Sequence, residues 1–368
     1  MDSATATIRL RPEHFTEAEH ELAAFDGLTA TAFRYSTGVP ALRLANELGQ
    51  ITTLPYQGQQ IWSASFRGRP LGMRSMFDEP RPTQDYLATY GGFLIHCGAV
   101  GMGAPGPDDR HGLHGELPNA PYRDAALLLG RDAHGPFMAL TGQYQHTIAF
   151  NHNYVARPLV RLHAGSSRIE AELVIDNLRH APMELLYLAH INFRTVDDAL
   201  LVDSVPPGDA HMRLRPLPGG RFKPSEAYMR MFEAMRADPG RHRRMERGQV
   251  IDPELVLYLD ALADGEGWSH ALQLLPDGSA DFVAHRPDQL DKAIRWICRN
   301  ADQNALGLVL PATAEDHGYT AEKAKGNLRI VPPGGQWRCD LAFGALTAAE
   351  AAAMKQQIEA TVRRHAGG

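Results

Sequence analysis

The chain has 368 residues, 44% of them hydrophobic and 22% charged, with a formal net charge of −6. Length and apolar content are enough for a large core, and the acidic balance gives no summed field for nucleic acid or an anionic membrane. Three widely spaced cysteines, Cys97, Cys298 and Cys339, form neither a disulfide framework nor a Cys-x-x-Cys zinc knuckle, and no apolar run approaches the ~18 residues of a membrane helix.

The first residues, MDSATATIRLRPEHF, are mixed and charged, unlike a secretory signal, so a cytoplasmic location is expected. ITTLPYQGQQIWSASFRG, GGFLIHCGAV and PFMALTGQYQHTIAF then read as strands. In SRIEAELVIDN, Ile169, Ala171, Leu173 and Ile175 alternate with Glu170, Glu172 and Val174, the period-two pattern of a sheet with one face buried. Asn177 opens a turn, and PMELLYLAHINF follows as a buried strand, so the pair reads as an antiparallel hairpin. SEAYMRMFEAMR and ADPGRHRRMERG predict a helical insert at about 222–250. Its basic run Arg241–Arg244 reads as a solvated helix end, with a phosphate site as the alternative.

LVLYLDAL is a further strand. RPDQLDKAIRWICRNAD reads as a helix, with Leu290, Ile294 and Ile297 at helical spacing. After the turn signal PPGGQ, QWRCDLAFG places Trp337, Cys339, Leu341 and Phe343 on one side of a strand. Thr347 and Glu350 form a capping box for a C-terminal helix at about 347–365, with basic residues in its last turn. Many short strands, punctuated by 34 Gly and 25 Pro, point to an all-β sandwich or barrel. No repeat, linker or boundary divides it, so a single domain over 1–368 is expected.

Chemistry-bearing residues collect at a few places. HGLHGELPNAPY holds His111, His114 and Glu116 between glycines. The three could bind a divalent metal such as Zn or Mn with an open position, His114 could transfer protons or hydrogen-bond a ligand, or the stretch could be a solvated loop. His190 lies at the end of an apolar strand. It is either a satisfied core histidine or, with Asn192 and Arg194 at i+2 and i+4, part of the floor of a polar cleft. An imidazole there would titrate near working pH. His96 sits on a strand with a glycine-rich exit. LGLVLPATAEDHGYTAEKAKGNLRIVPPGG carries Thr313, Glu315, His317, Glu322, Lys323 and Lys325, a loop that is either solvated or, at a strand end, part of a site. GxGxxG, Walker and GxSxG motifs are absent.

LPYQGQQIWSASFRGRPLG, GGFLIHCGAVGMGAPG, HGLHGELPNAPY, VIDNLRHAPMELLYLAHINFR, LGLVLPAT and GNLRIVPPGGQWRCDLAFG follow one another in an order that resembles the aldose 1-epimerase-like (galactose mutarotase-like) superfamily. The resemblance spans roughly residues 30–345 and is nearest its poorly characterised branch, a domain of unknown function. It implies a galactose mutarotase-like β-supersandwich with a few peripheral helices, binding a small-molecule carbohydrate and needing no cofactor. His114 is similar to the histidine of the family's Leu-His-Gly stretch, and His190 to that of its His-x-Asn-Phe strand, which implies a general acid. Arg74 falls where an early sugar contact is expected, and Asn192 and Thr313 would hold hydroxyls, with Arg194 beside them. Leu310 stands where the family's basic glutamate is expected, which leaves Glu315, Glu116 and His96 as candidate bases.

The expectation is a carbohydrate isomerase of the mutarotase type, with catalytic His190, His114 and Glu315 and substrate contacts from Arg74, His96, Glu116, Asn192, Arg194 and Thr313. The alternatives are a metal-assisted sugar lyase or isomerase using His111, His114 and Glu116, and a noncatalytic sugar-binding protein. The apolar alternate strand faces could pack internally or form a homodimer; nucleic acid and membrane are not expected partners.

Overall fold

Along Arg168–Asn177, Ile169, Ala171, Leu173 and Ile175 are buried and the residues between them are partly exposed, the pleated alternation their sequence calls for. This strand pairs antiparallel with His152–His163. The computed structural model describes residues 3–206, 208–217 and 224–366. Among them, such strands build two large antiparallel sheets of nine and thirteen strands, with α-helices at Glu226–Ala237, Tyr319–Ala324 and Ala348–Ala366. The fold is mostly β.

The chain divides into two compact units. The first comprises Met1–Leu71, Phe77–His190 and Thr313–Ala342. In one of its sheets the strands run in the order Ser3–Arg9, Arg123–Asp132, Gly135–Ile148, His152–His163, Arg168–Asn177. In the other, Met183–Ile191, Leu94–Ala99 and Ile61–Phe66 lead on to four more strands ending at His20–Phe25. Leu42, Ile51, Phe66, Phe93, Tyr154 and Tyr187 are fully buried here.

The second unit comprises Gly72–Met76, Ile191–Ala312 and Phe343–Gly368. Its strands Ile251–Leu259, Lys292–Arg299 and Asn304–Ala312 pair in succession. The C-terminal helix starts with the expected capping box: Glu350 accepts from the Thr347 N–H at 2.8 Å, and Thr347 Oγ1 accepts from the Glu350 N–H at 3.3 Å. The predicted insert contains the helix Glu226–Ala237, capped by Ser225 and burying Tyr228, Phe232 and Met235.

Three expectations are corrected. Residues 292–299 are a strand, not a helix. Ala293, Ile294, Ile297 and Cys298 are buried between two partner strands, and a short run buried on both faces loses the alternation that separates strand from helix. The segments either side of Asn177 do not form a hairpin. Arg168–Asn177 stays with His152–His163, while Met183–Ile191 joins the other sheet. Asn177 makes the crossing, its amide donating to the carbonyls of Ala181, Val331 and Pro332. The basic run Arg241–Arg244 is not a wholly solvated helix end. His242 is fully buried against Arg295 at 2.7 Å, and Arg243 pairs with Asp203 at 2.8 Å.

Candidate functional site

The loop HGLHGE is held open by its glycines, as its composition implies. A Cβ on Gly115 (φ +83°) would lie 2.2 Å from the Gly101 carbonyl oxygen. His114 itself takes φ +60°, a conformation uncommon outside glycine. Two backbone bonds hold it there: its N–H donates to Gly103 O at 3.0 Å, and its carbonyl accepts from the Gly98 N–H at 2.9 Å. The end of strand Leu94–Ala99 thereby fixes where His114 points.

Four rings converge in the first unit. His114 and His190 meet edge to face with centroids 5.4 Å apart. Tyr86 lies 5.0 Å from His114 and 5.0 Å from Tyr90. Tyr90 lies edge to face with His190, its hydroxyl 3.3 Å from Nε2. His190 is 5% exposed, at the end of its strand. Tyr86 and Tyr90 were not singled out in the sequence. A 3₁₀ turn at Leu87–Thr89 brings them together, and the only signal was Tyr-x-x-x-Tyr before Gly91-Gly92. Such a cluster can hold and pass a proton: a tyrosine hydroxyl accepts from an imidazolium N–H and donates to a neutral ring nitrogen.

The other expected proton-transfer groups of this unit are engaged elsewhere. Glu116 Oε1 accepts from the N–H groups of Ala99 at 2.7 Å and Val100 at 3.0 Å, and from the Tyr154 hydroxyl. His96 is fully buried with Nδ1 2.7 Å from the Tyr187 hydroxyl, and burial pushes its pKa down to about 4. Thr313 is buried and its hydroxyl oxygen accepts from the Tyr187 N–H at 2.9 Å.

Glu315, His317 and Glu322 form the one group of possible metal donors whose atoms converge among the described residues. His111, His114 and Glu116 do not converge. His111 instead bonds Gly112 O through Nδ1 at 2.7 Å and accepts from the Tyr319 N–H through Nε2 at 3.2 Å. At the converging group, Lys325 Nζ stands 2.7 Å from Glu315, 2.7 Å from Glu322 and 2.8 Å from His317. Its ammonium supplies the positive charge a metal would bring. Burial alone would raise the Glu322 pKa, but hydrogen bonds from His317, Asn327 and Lys325 hold it down to about 2. The charge-rich loop is therefore an ion cluster in which buried Glu315 and Glu322 meet the part-exposed His317 and the exposed Lys325, and Glu315 within it is already paired. Lys323 turns away to Glu184, 2.8 Å distant.

Arg74, Asn192, Arg194 and Leu310 belong to the second unit. The Arg74 guanidinium donates to the carbonyls of Ala301 at 2.6 Å and Asn300 at 3.0 Å. Burial and then the charge of Arg74 lower the Arg194 pKa. Asn192 is fully buried and Leu310 nearly so. The strand carrying His190 ends at Ile191, so the face drawn by parity through Asn192 and Arg194 does not continue as regular strand.

Residues 36–196 match the family model of a domain of unknown function, DUF4432. The chain's structure is similar to that of a candidate aldose 1-epimerase from Klebsiella pneumoniae, with TM-score 0.79 and 17% identity over 94% of this chain and 92% of that one. It is also similar to a galactose mutarotase-like protein from Clostridium acetobutylicum, with TM-score 0.59 and 11% identity over 87% and 98% of the two chains. A candidate aldose 1-epimerase from Escherichia coli K12 matches with TM-score 0.52 and 12% identity over 87% and 99%. At these identities the likeness establishes a mutarotase-like fold. No curated protein matches the sequence.

The first unit also holds a cleft of about 740 Å³, on the Glu116 side of the HGLHGE loop. His111, Glu116, His146, His152, Glu184 and Tyr319 are among its walls, and His114 and His190 are not. His146 and His152 face each other with centroids 6.0 Å apart. The pKa of His152 is lowered by burial and then by His146.

Proposed function

We propose that this protein is a carbohydrate isomerase of the aldose 1-epimerase type, acting on a free sugar or sugar derivative with His190 as general acid and His114 as its proton-accepting partner. The observation that carries the reading is the edge-to-face contact of these two imidazoles, with the Tyr90 hydroxyl on His190 Nε2. The mutarotase-like fold supports the substrate class.

Anomer exchange needs two proton transfers at atoms bonded to the same carbon. The acid protonates the ring oxygen as the C1–O5 bond breaks. The base takes the proton of the anomeric hydroxyl as C1=O1 forms. Rotation about C1–C2 and the reverse transfers close the ring on the other face. Because both oxygens are on C1, two neighbouring imidazoles suit the geometry. Leu310 cannot accept a proton, Glu315 is held by Lys325, Glu116 faces the separate cleft with Oε1 taken by three donors, and His96 is deeply buried, which leaves His114 as the acceptor within the cluster. The reverse transfers return the proton to His190 on ring closure, and the Tyr90 hydroxyl, 3.3 Å from Nε2, would hold the imidazole in place meanwhile. Each positioned acid or base typically contributes ~10²–10⁴-fold.

The test is polarimetry of anomer exchange with wild type, His190→Ala, His114→Ala and the double variant. Two groups acting as one unit are grossly non-additive, so either single variant should lose nearly all the rate enhancement and the double variant little more. Independent, multiplying losses would argue against the pair, and full activity in His114→Ala would remove it as the acceptor.

A further inference from the structure

Phe150 bears two penalties at once. It is 97% exposed, and its φ is +70°, a region where Gly or Asn is at home and a bulky side chain is an outlier. It lies at the tip between strands Gly135–Ile148 and His152–His163. That tip is braced: Arg179 donates to the carbonyls of Phe150, at 3.1 Å, and Asn151, and the Leu178 N–H donates to Asn153 O at 2.9 Å. Nothing inside the unit repays placing an aromatic ring there.

The surroundings supply a socket. Ile148 and Asn151, on either side of Phe150 in the chain, line the 740 Å³ cleft, whose apolar wall also includes Pro182, Met183 and Ile330. Of these, Ile148 and Ile330 are 46% and 58% exposed, and Leu178, between the lining residues Asn177 and Arg179, is 45% exposed, so exposed apolar side chains stand beside the polar ones at the cleft. Asp108 and Arg110, both exposed, stand on the same lining.

We propose that a second copy of this chain docks here, the Phe150 tip of each copy entering the cleft of the other. A two-fold interface requires plug and socket on one patch, so that each residue meets its complement reciprocally. Phe150 and the cleft satisfy that. Asp108 and Arg110 add the matching charge pattern, because a two-fold axis can set the acid of one copy against the base of the other. A braced tip loses little freedom on docking, and a central buried aromatic is the usual anchor of such an interface.

The experiment is sedimentation velocity of the full chain at tens of micromolar, for wild type, Phe150→Asp and Phe150→Gly. Wild type should sediment as a dimer. Both variants should weaken it by roughly 30-fold or more, the loss typical of a hot-spot residue. Glycine is suited to φ +70°, so Phe150→Gly should lose the dimer while its circular-dichroism spectrum and cooperative unfolding stay those of a folded chain, which separates a lost contact from a lost fold. A monomeric wild type overturns the proposal, as does a dimer that survives both substitutions.

Discussion

Removing the Glu116 carboxylate should loosen the loop that presents His114. Oε1 holds three donors, the N–H groups of Ala99 and Val100 and the hydroxyl of Tyr154. Ala99 and Tyr154 are fully buried, while Val100 borders the cleft, where water can replace the lost acceptor. A hydrogen bond to a charged group contributes about 1.5–3 kcal/mol. With two donors stranded, Glu116→Ala should cost about 3 kcal/mol. Unfolding entropy of ~2.1 cal/mol/K per residue gives about 0.8 kcal/mol/K for a chain of this length. The melting temperature should therefore fall by about 4 °C, and by more if the first unit melts separately. Glu116→Gln keeps an acceptor oxygen and should lose only about 1–2 °C. Thermal unfolding followed by circular dichroism reads both. A Glu116→Ala variant melting within about 1 °C of wild type would refute the assignment of Glu116 as the clamp on this loop.

Acid should destabilise the fold well before the carboxylates titrate. Burial lowers the pKa of His96 to about 4, burial and then Arg295 that of His242 to about 3, and burial and then His270 that of His285 to about 3. Their folded values lie below the unfolded value near 6.5, so the unfolded chain binds protons first. Stability is full above pH 6.5 and is lost as pH falls toward 4 and then 3, at up to roughly 1.4 kcal/mol per pH unit for each histidine. A urea midpoint that stays flat from pH 7 to pH 4.5 would contradict this. Lys325→Ala should strand the buried Glu322 and Glu315 and create a metal site from them with His317. Added Zn²⁺ should then raise the melting temperature of the variant by several degrees and leave wild type unmoved; an equal shift in wild type would mean that Lys325 does not occupy the site.

How much of this was legible depended on whether the sequence pattern had one physical reading. Ile169, Ala171, Leu173 and Ile175 alternate because one face of their strand is buried, so the strand could be read directly. Residues 292–299 are buried on both faces and mimic a helix. The Asn177 turn reads as a hairpin because local chemistry fixes only that the chain turns, while the carbonyls of Val331 and Pro332, far along the chain, fix the direction. The glycines around His114 announced an open loop, and the order of motifs pointed to His190. That the two rings meet is a long-range fact, as is the addition of Tyr86 and Tyr90. Charge runs were the least legible. Glu315, His317, Glu322 and Lys325 look like a solvated loop until the two carboxylates are seen to be buried and paired with Lys325, and Arg243 and His242 look like a helix end until Asp203 and Arg295 are found beside them.

The central claim is that the His114–His190 cluster exchanges sugar anomers. Saturation-transfer NMR over a panel of aldoses, ketoses and sugar acids tests it most directly, with wild type beside His190→Ala. The account predicts at least one sugar whose anomers exchange faster with wild type, by a factor that falls ~10²–10⁴-fold in the variant. Exchange that proceeds equally with both proteins, or no acceleration with any sugar on the panel, would contradict it.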